Sequence, residues 1–207
     1  MLYSDFAYLW PPRPEKSISP DLLKSLEGRM VLQTKKNGTC SVIFVSPDKK
    51  VTAMNRHNED HKLWSPTHQV MESFRALPGK GWYVFVAELL HSKVPGIRDV
   101  NYVHDVLVSD GHYLVGKTQS ERQDILFDLL ETEDMEETDT HFVVNENLWL
   151  PVEYETGFRQ FFDQLTSPED EGIVLKDPNS KLKICSRAGS NVGGMVKCRK
   201  PHKNFTF

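Results

Sequence analysis

The stretch QTKKNGTC, residues 33–40, follows the apolar run Met30-Val31-Leu32 and sets two lysines against an Asn-Gly turn. Asn-Gly is the pair a tight hairpin turn favours, so the stretch reads as strand, turn, strand. Lys35 closes the first strand, and Lys36, one residue on, points to the opposite face. An unassisted lysine is only roughly 0.04% neutral at pH 7, from a reference pKa of ~10.4. A nucleophilic Lys35 therefore needs nearby positive charge or partial burial. Taken alone, the segment supports two readings: a hairpin with solvated lysines, or a loop that presents one lysine to a substrate.

Strand-like runs surround it at 30–35, 40–46 and 51–56, with WYVFVAELL (82–90) and YVHDVL (102–107) further on. Asp110-Gly111 turns the chain into a short strand, HYLVG. Late strands are expected at 172–176, 181–185 and 194–199, the last two separated by a loop holding Gly189, Gly193 and Gly194. Helices are signalled after Ser19-Pro20, with Leu22, Leu23 and Leu26 as its stripe, and after Ser65-Pro66, with Val70, Phe74 and Leu77. Another follows the capping box Thr118/Glu121, and a fourth lies around 154–165. Strands at both ends with helices between predict an α+β domain of two antiparallel sheets with flanking helices.

The chain has 207 residues, 39% hydrophobic and 26% charged, enough for one domain with a real core. No run approaches the roughly 20 apolar residues of a membrane span. The start, MLYSDFAYLWPPRP, lacks the pattern of a secretory signal. Cys40, Cys185 and Cys198 form neither a disulfide framework nor a zinc pattern. These features suggest a reducing intracellular compartment, no secretion and no membrane partner. The net charge of −4 does not exclude nucleic acid, because the charge is uneven. Residues 131–139 hold six acids, whereas Lys176–Lys203 holds eight Lys/Arg and one acid, Asp177. At physiological salt, charges beyond about 8 Å are largely screened, so a local basic face can act alone.

Three further sites carry candidate chemistry. Glu88 sits inside the apolar run VAELL, where a carboxylate must be paired, ligate a metal or be functional. Glu171 precedes Gly172 and the strand ending at Lys176. Lys197, in MVKCRKP, either snorkels to the surface or supplies the positive charge Lys35 requires. His57 and His61, in HNEDH, do not match a His-Glu-x-x-His zinc motif, and GSNVGG does not follow a phosphate-loop pattern.

The order of these elements resembles the covalent nucleotidyltransferase superfamily of polynucleotide ligases and mRNA-capping enzymes: Lys-x-Asn-Gly, a strand ending in Glu, Glu-Gly-Ile-Val-Leu-Lys, then Val-Lys-x-Arg. The resemblance runs from about Gln33 to Lys200. It implies a nucleotide-binding cleft in which Lys35 attacks the α-phosphorus of ATP, with Gly38 in its turn. Lys197 would hold the α-phosphate, with Lys176 a second phosphate ligand. Arg56 would contact the nucleotide or a 5′-phosphate, and His104 would stack on the base. Glu171, with Glu88, would bind Mg2+ or Mn2+, Glu88 alternatively holding the ribose. The implied partner is a nucleic acid with 5′-phosphate and 3′-OH ends, and the implied protein is a monomer.

Asn37 and Cys40 depart from the Asp and Arg more usual in DNA ligases and capping enzymes. Gly-Thr-Cys resembles some RNA ligases, and the expectation is a single domain, 1–207, without an OB-fold. The reading therefore leans to an ATP-dependent RNA ligase. Its rivals are a DNA nick ligase, a GTP-dependent capping guanylyltransferase and a non-catalytic nucleic-acid-binding module.

Overall fold

A computed structural model describes residues 8–184 and 194–201. One sheet runs β4 (Val51–Asn55), β3 (Thr39–Val45), β5 (Tyr83–Leu90), β6 (Val100–Ser109), β10 (Leu148–Pro151), β9 (His141–Asn145) and β8 (Glu136–Glu137), with β7 (His112–Tyr113) paired to β6. The other runs β1 (Lys16–Ser17), β12 (Met195–Arg199), β11 (Asp170–Lys176) and β2 (Val31–Lys36).

The α+β expectation holds, with one correction. Two pairings, β1 with β12 and β6 with β10, are parallel. A parallel return needs a crossover, and α2 (Gln119–Leu130) with β8 and β9 supplies it between β6 and β10. The strands β9 and β10 were not expected from the sequence.

Local signals set most other elements. The capping box forms as read: Thr118 Oγ1 accepts from Glu121 N, and the Glu121 carboxylate accepts from Thr118 N. Asp110 and Gly111 take φ of 46° and 82°, the left-handed pair a two-residue hairpin demands. The first helix is a 3-10 helix, Pro20–Leu26, in which Leu23 is buried and Leu22 is exposed. The fourth is shorter than expected, α3 at Phe158–Gln164, because Tyr154 pairs with Leu32 and Gly157 turns left-handed. The expected strand 181–185 is not formed: Lys181 makes a single bridge to Thr118, and residue 185 lies outside the described residues, as do Gly189 and Gly193.

Each sheet has its own core. The core of the large sheet gathers Val42, Phe44, Phe85 and Val106, together with Val70 of α1 (His68–Ser73) and Leu126 of α2. The small sheet packs Leu32, Ile173 and Leu175 against Leu23 and, from α3, Phe158 and Phe162. Lys35 is the penultimate residue of β2 in the small sheet, and the turn after Lys36 carries the chain directly into β3 of the large one. The nucleophile candidate therefore stands where the two sheets meet.

Candidate active site

Strand β11 pairs Asp170 with Lys36 and Gly172 with Lys35. Lys35 and Lys36 face opposite ways, but residues 170 and 172 of a regular strand would face the same way. A bulge resolves the conflict by inserting Glu171 as an extra residue. Two ion pairs result, back to back. Lys35 Nζ donates to Glu171 Oε2 at 2.5 Å, while Lys36 Nζ donates to Asp170 Oδ1 at 2.7 Å in the interior. Arg199 Nε, from β12, holds the other Glu171 oxygen at 2.6 Å. Gly172 is required there: its φ is +150°, and a Cβ would strike the Cys198 carbonyl of β12.

Glu88 lies on β5 between Cys40 and Tyr102 of the flanking strands, and its Oε1 accepts from Gly38 N at 3.1 Å. It thus braces the turn after Lys35. Lys93 Nζ donates to the Gly38 carbonyl from the other side. Burial pushes the Glu88 carboxyl above its usual range, against the pull of Lys35 and Lys93. Burial also holds the neighbouring Cys40 thiol up at about 12, so this position is neutral. Arg56 Nε donates to His57 Nε2 at 3.1 Å, and the His61 ring lies 3.1 Å from Ser41 Oγ, so the two histidines have separate partners.

A cavity of about 520 Å3 lies between the sheets, lined by Lys35, Glu88, Tyr102, His104, Lys176 and Lys197. Its size is that of a cofactor pocket. A second cavity, of about 1020 Å3, opens on the other side of the Lys35 turn and is lined by Asn37, Gly38, Glu171 and Arg199. Lys35, Arg56 and Glu88 line both.

Burial and the Lys176 charge bring His104 down to about 3, so its ring is neutral at pH 7 and can stack without carrying charge. Lys176 Nζ donates to the His104 carbonyl at 3.0 Å. Four residues of strand, about 13 Å at ~3.3 Å each, separate Lys176 from the level of Lys35. Lys176 is therefore held beside His104, away from the Lys35 amine. Burial pulls the Lys197 ammonium down, and the charges of Arg199 and Lys35 act in the same direction. Of its two readings, Lys197 is the one facing the cavity beside Lys35, not a solvated strand end.

Sequence reasoning left Gln33, Lys93 and Arg199 without a role. Gln33 shares the Lys35 face by strand alternation, a signal available in the sequence. Its Nε2 donates to Gln123 Oε1 at 2.6 Å and to Glu153 Oε1 at 2.7 Å. Lys93 had no local signal, because its contact to Gly38 spans a loop.

Solved structures with the same fold include the mycobacterial DNA ligase D complexed with ATP and MES (TM-score 0.62, 15% identity, 96% of this chain and 62% of that one). The ligase domain of M. tuberculosis LigD gives TM-score 0.63 at 15% identity, over 96% of this chain and 61% of that one. The ATP-dependent DNA ligase of bacteriophage T7 in complex with ATP gives 0.52 at 11%, over 92% and 68%. The chain thus spans about three-fifths of the length of the LigD structures. No curated protein matches it by sequence. These neighbours lend no support to the lean towards RNA. The model of the family described as ATP dependent DNA ligase domain matches residues 87–196, more than half of the chain and a span that includes Glu88, His104, Glu171 and Lys176. The chain therefore belongs to the ATP-dependent DNA ligase domain family, within the covalent nucleotidyltransferase superfamily.

Proposed function

We propose that this chain is the nucleotidyltransferase domain of an ATP-dependent DNA ligase, and that it forms a lysyl-AMP on Lys35. The observation that carries the reading is the position of Lys35 Nζ, paired with Glu171 where a nucleotide-sized cavity meets a wider open one. The nucleotide lies with its base at His104 and Lys176 and its phosphates towards Lys35 and Lys197. Nζ attacks the α-phosphorus, so a P–N bond forms and the P–O bond to pyrophosphate breaks. Glu171 Oε2, at hydrogen-bond distance, orients the amine and is the nearest acceptor for its proton. Lys197 offsets negative charge at the phosphate. The AMP then passes to a 5′-phosphate in the wider cavity, where Arg56 and Arg199 are placed to hold it. A 3′-OH displaces AMP to seal the strand. DNA is the favoured acceptor, by analogy with the relatives.

The donor set fits a hard divalent cation. Glu171 and Glu88 offer carboxylate oxygens on either side of Lys35, and conversion of the amine to a phosphoramidate releases Glu171 Oε2 from its ion pair. Magnesium or manganese there would neutralise phosphate charge. Intact-mass spectrometry after incubation with magnesium and ATP, with GTP in parallel, tests the proposal. An AMP adduct mapped to Lys35, absent in Lys35→Ala, is expected. A GMP adduct would turn the reading to capping, and no adduct with either would favour a binding module.

A further inference from the structure

The cavity assigned to the nucleotide has a wall that belongs to neither sheet. Trp10, Pro11, Pro12, Arg13 and Pro14 line it. This arm is anchored at both ends. Leu9 is buried in the core of the large sheet, and Ile18 packs into the core of the small one. Between them, Glu15 N donates to Met195 O, Lys16 and Ser17 form β1 against Val196 and Lys197, and Ile18 N donates to Lys197 O. The chain from Leu9 to Ile18 therefore bridges the two sheets along the cavity edge. Three prolines among four residues, 11–14, fix φ near −65° and hold the bridge extended, so little ordering is needed when a ligand arrives.

The exception among those four is Arg13. It is exposed, and among the described residues it makes no ion pair with a carboxylate. Its charge instead acts on Lys197, helping to pull that ammonium down. The cavity collects Arg13, Lys35, Lys36, Arg56, Lys176 and Lys197 against a single carboxylate, Glu88. Lys36 is committed to Asp170 and Lys35 to Glu171, which leaves Arg13, Arg56, Lys176 and Lys197. Like charges held together without a counterion destabilise one another, and a polyanion relieves that.

We propose that the N-terminal arm is part of the nucleotide site and that Arg13 binds the polyphosphate of the incoming nucleoside triphosphate. A guanidinium on a rigid arm offers a planar, bidentate fork to phosphate oxygens, which the point charge of a lysine does not. The inference rests on the nucleotide reading above, and its test does not depend on the chemistry. Inorganic tripolyphosphate and adenosine are titrated separately, by calorimetry, into the full-length wild type and into the Arg13→Ala and Arg13→Lys variants. Arg13→Ala weakens tripolyphosphate binding by about 10- to 100-fold, the loss of one charge-assisted contact, and Arg13→Lys by less. Adenosine affinity is unchanged in both. Equal tripolyphosphate affinity in wild type and Arg13→Ala overturns the proposal, and so does a parallel loss of adenosine, which would mean the arm has merely detached.

The ATP dependence of adduct formation separates the two readings. Wild-type adduct with an unaltered ATP KM in Arg13→Ala keeps the ligase assignment and rejects the role of Arg13. Loss of tripolyphosphate binding in Arg13→Ala, in a protein that forms no adduct, keeps the anion site and rejects the ligase assignment.

Discussion

Replacing Asp170 by asparagine leaves the Lys36 ammonium in an interior site with no counter-charge. The Lys36 side chain has 0% exposure and that of Asp170 2%. Lys36 Nζ also lies 3.1 Å from Thr140 Oγ1 and 3.3 Å from His141 Nδ1, with the Tyr102 and Trp149 rings at 5.7 and 5.6 Å. Breaking a buried pair from one side costs about 3–5 kcal/mol. At ~2–4 °C per kcal/mol for a chain of this size, Tm falls by about 6–20 °C. Burial already pulls the Lys36 ammonium down and pushes the Asp170 carboxyl up. Without Asp170, the folded protein binds the Lys36 proton more weakly than the unfolded chain does. Stability of the variant therefore rises with pH between the folded-state value and the unfolded ~10.4. Urea unfolding of wild type, Asp170→Asn, Lys36→Met and the double variant, from pH 7 to 10, measures all of this. The double variant, with no charge left to bury, recovers most of the loss. A single-variant loss below about 1 kcal/mol with no pH trend would refute the reasoning. The same pair anchors the strand end that carries Lys35, and a shift of about 1 Å there slows adenylylation by about 100-fold.

Other outcomes follow from the same geometry. A Cβ at Gly38 would lie 2.5 Å from the Leu89 carbonyl and 2.7 Å from Glu88 Cγ, so Gly38→Ala displaces the turn and lowers the adenylylation rate more than it lowers Tm. Because burial raises the Glu88 carboxyl, wild-type adenylylation declines on acidification from above the usual glutamate value of ~4.3. Glu88→Gln is slower throughout and lacks that limb in a pH–rate profile. Burial alone would raise Asp105, but the Arg122 guanidinium, at 2.8 Å, overrides it and holds the carboxyl below the usual range. Arg122→Met therefore costs about 3–5 kcal/mol near neutral pH. That stabilisation is present above the unfolded pKa of ~3.9 and is lost as pH falls through the lower folded value, so wild type and variant converge only under acid unfolding.

The sequence by itself determined the local elements. The β-branched and aromatic run WYVFVAELL made β5, Asp110-Gly111 made a hairpin, and Thr118 with Glu121 made a helix start, because each depends on backbone preferences within a few residues. It also set the order Lys35, Glu88, Glu171, Lys197 that carries the family resemblance. It did not disclose β9 and β10, which pair with each other but show no clear alternation, and of which β10 joins the sheet through the distant strand β6. The tertiary structure alone decided that Glu171 is the bulged residue, that Lys36 is buried while Lys35 faces the cleft, and that the segment from Trp10 to Pro14 walls the cavity between the sheets. The lysine–carboxylate pairs join residues 134 and 136 positions apart, and nothing in a local window encodes which strand will come to lie alongside. Side-chain direction at this site is a property of register, and register is set only when distant strands pair.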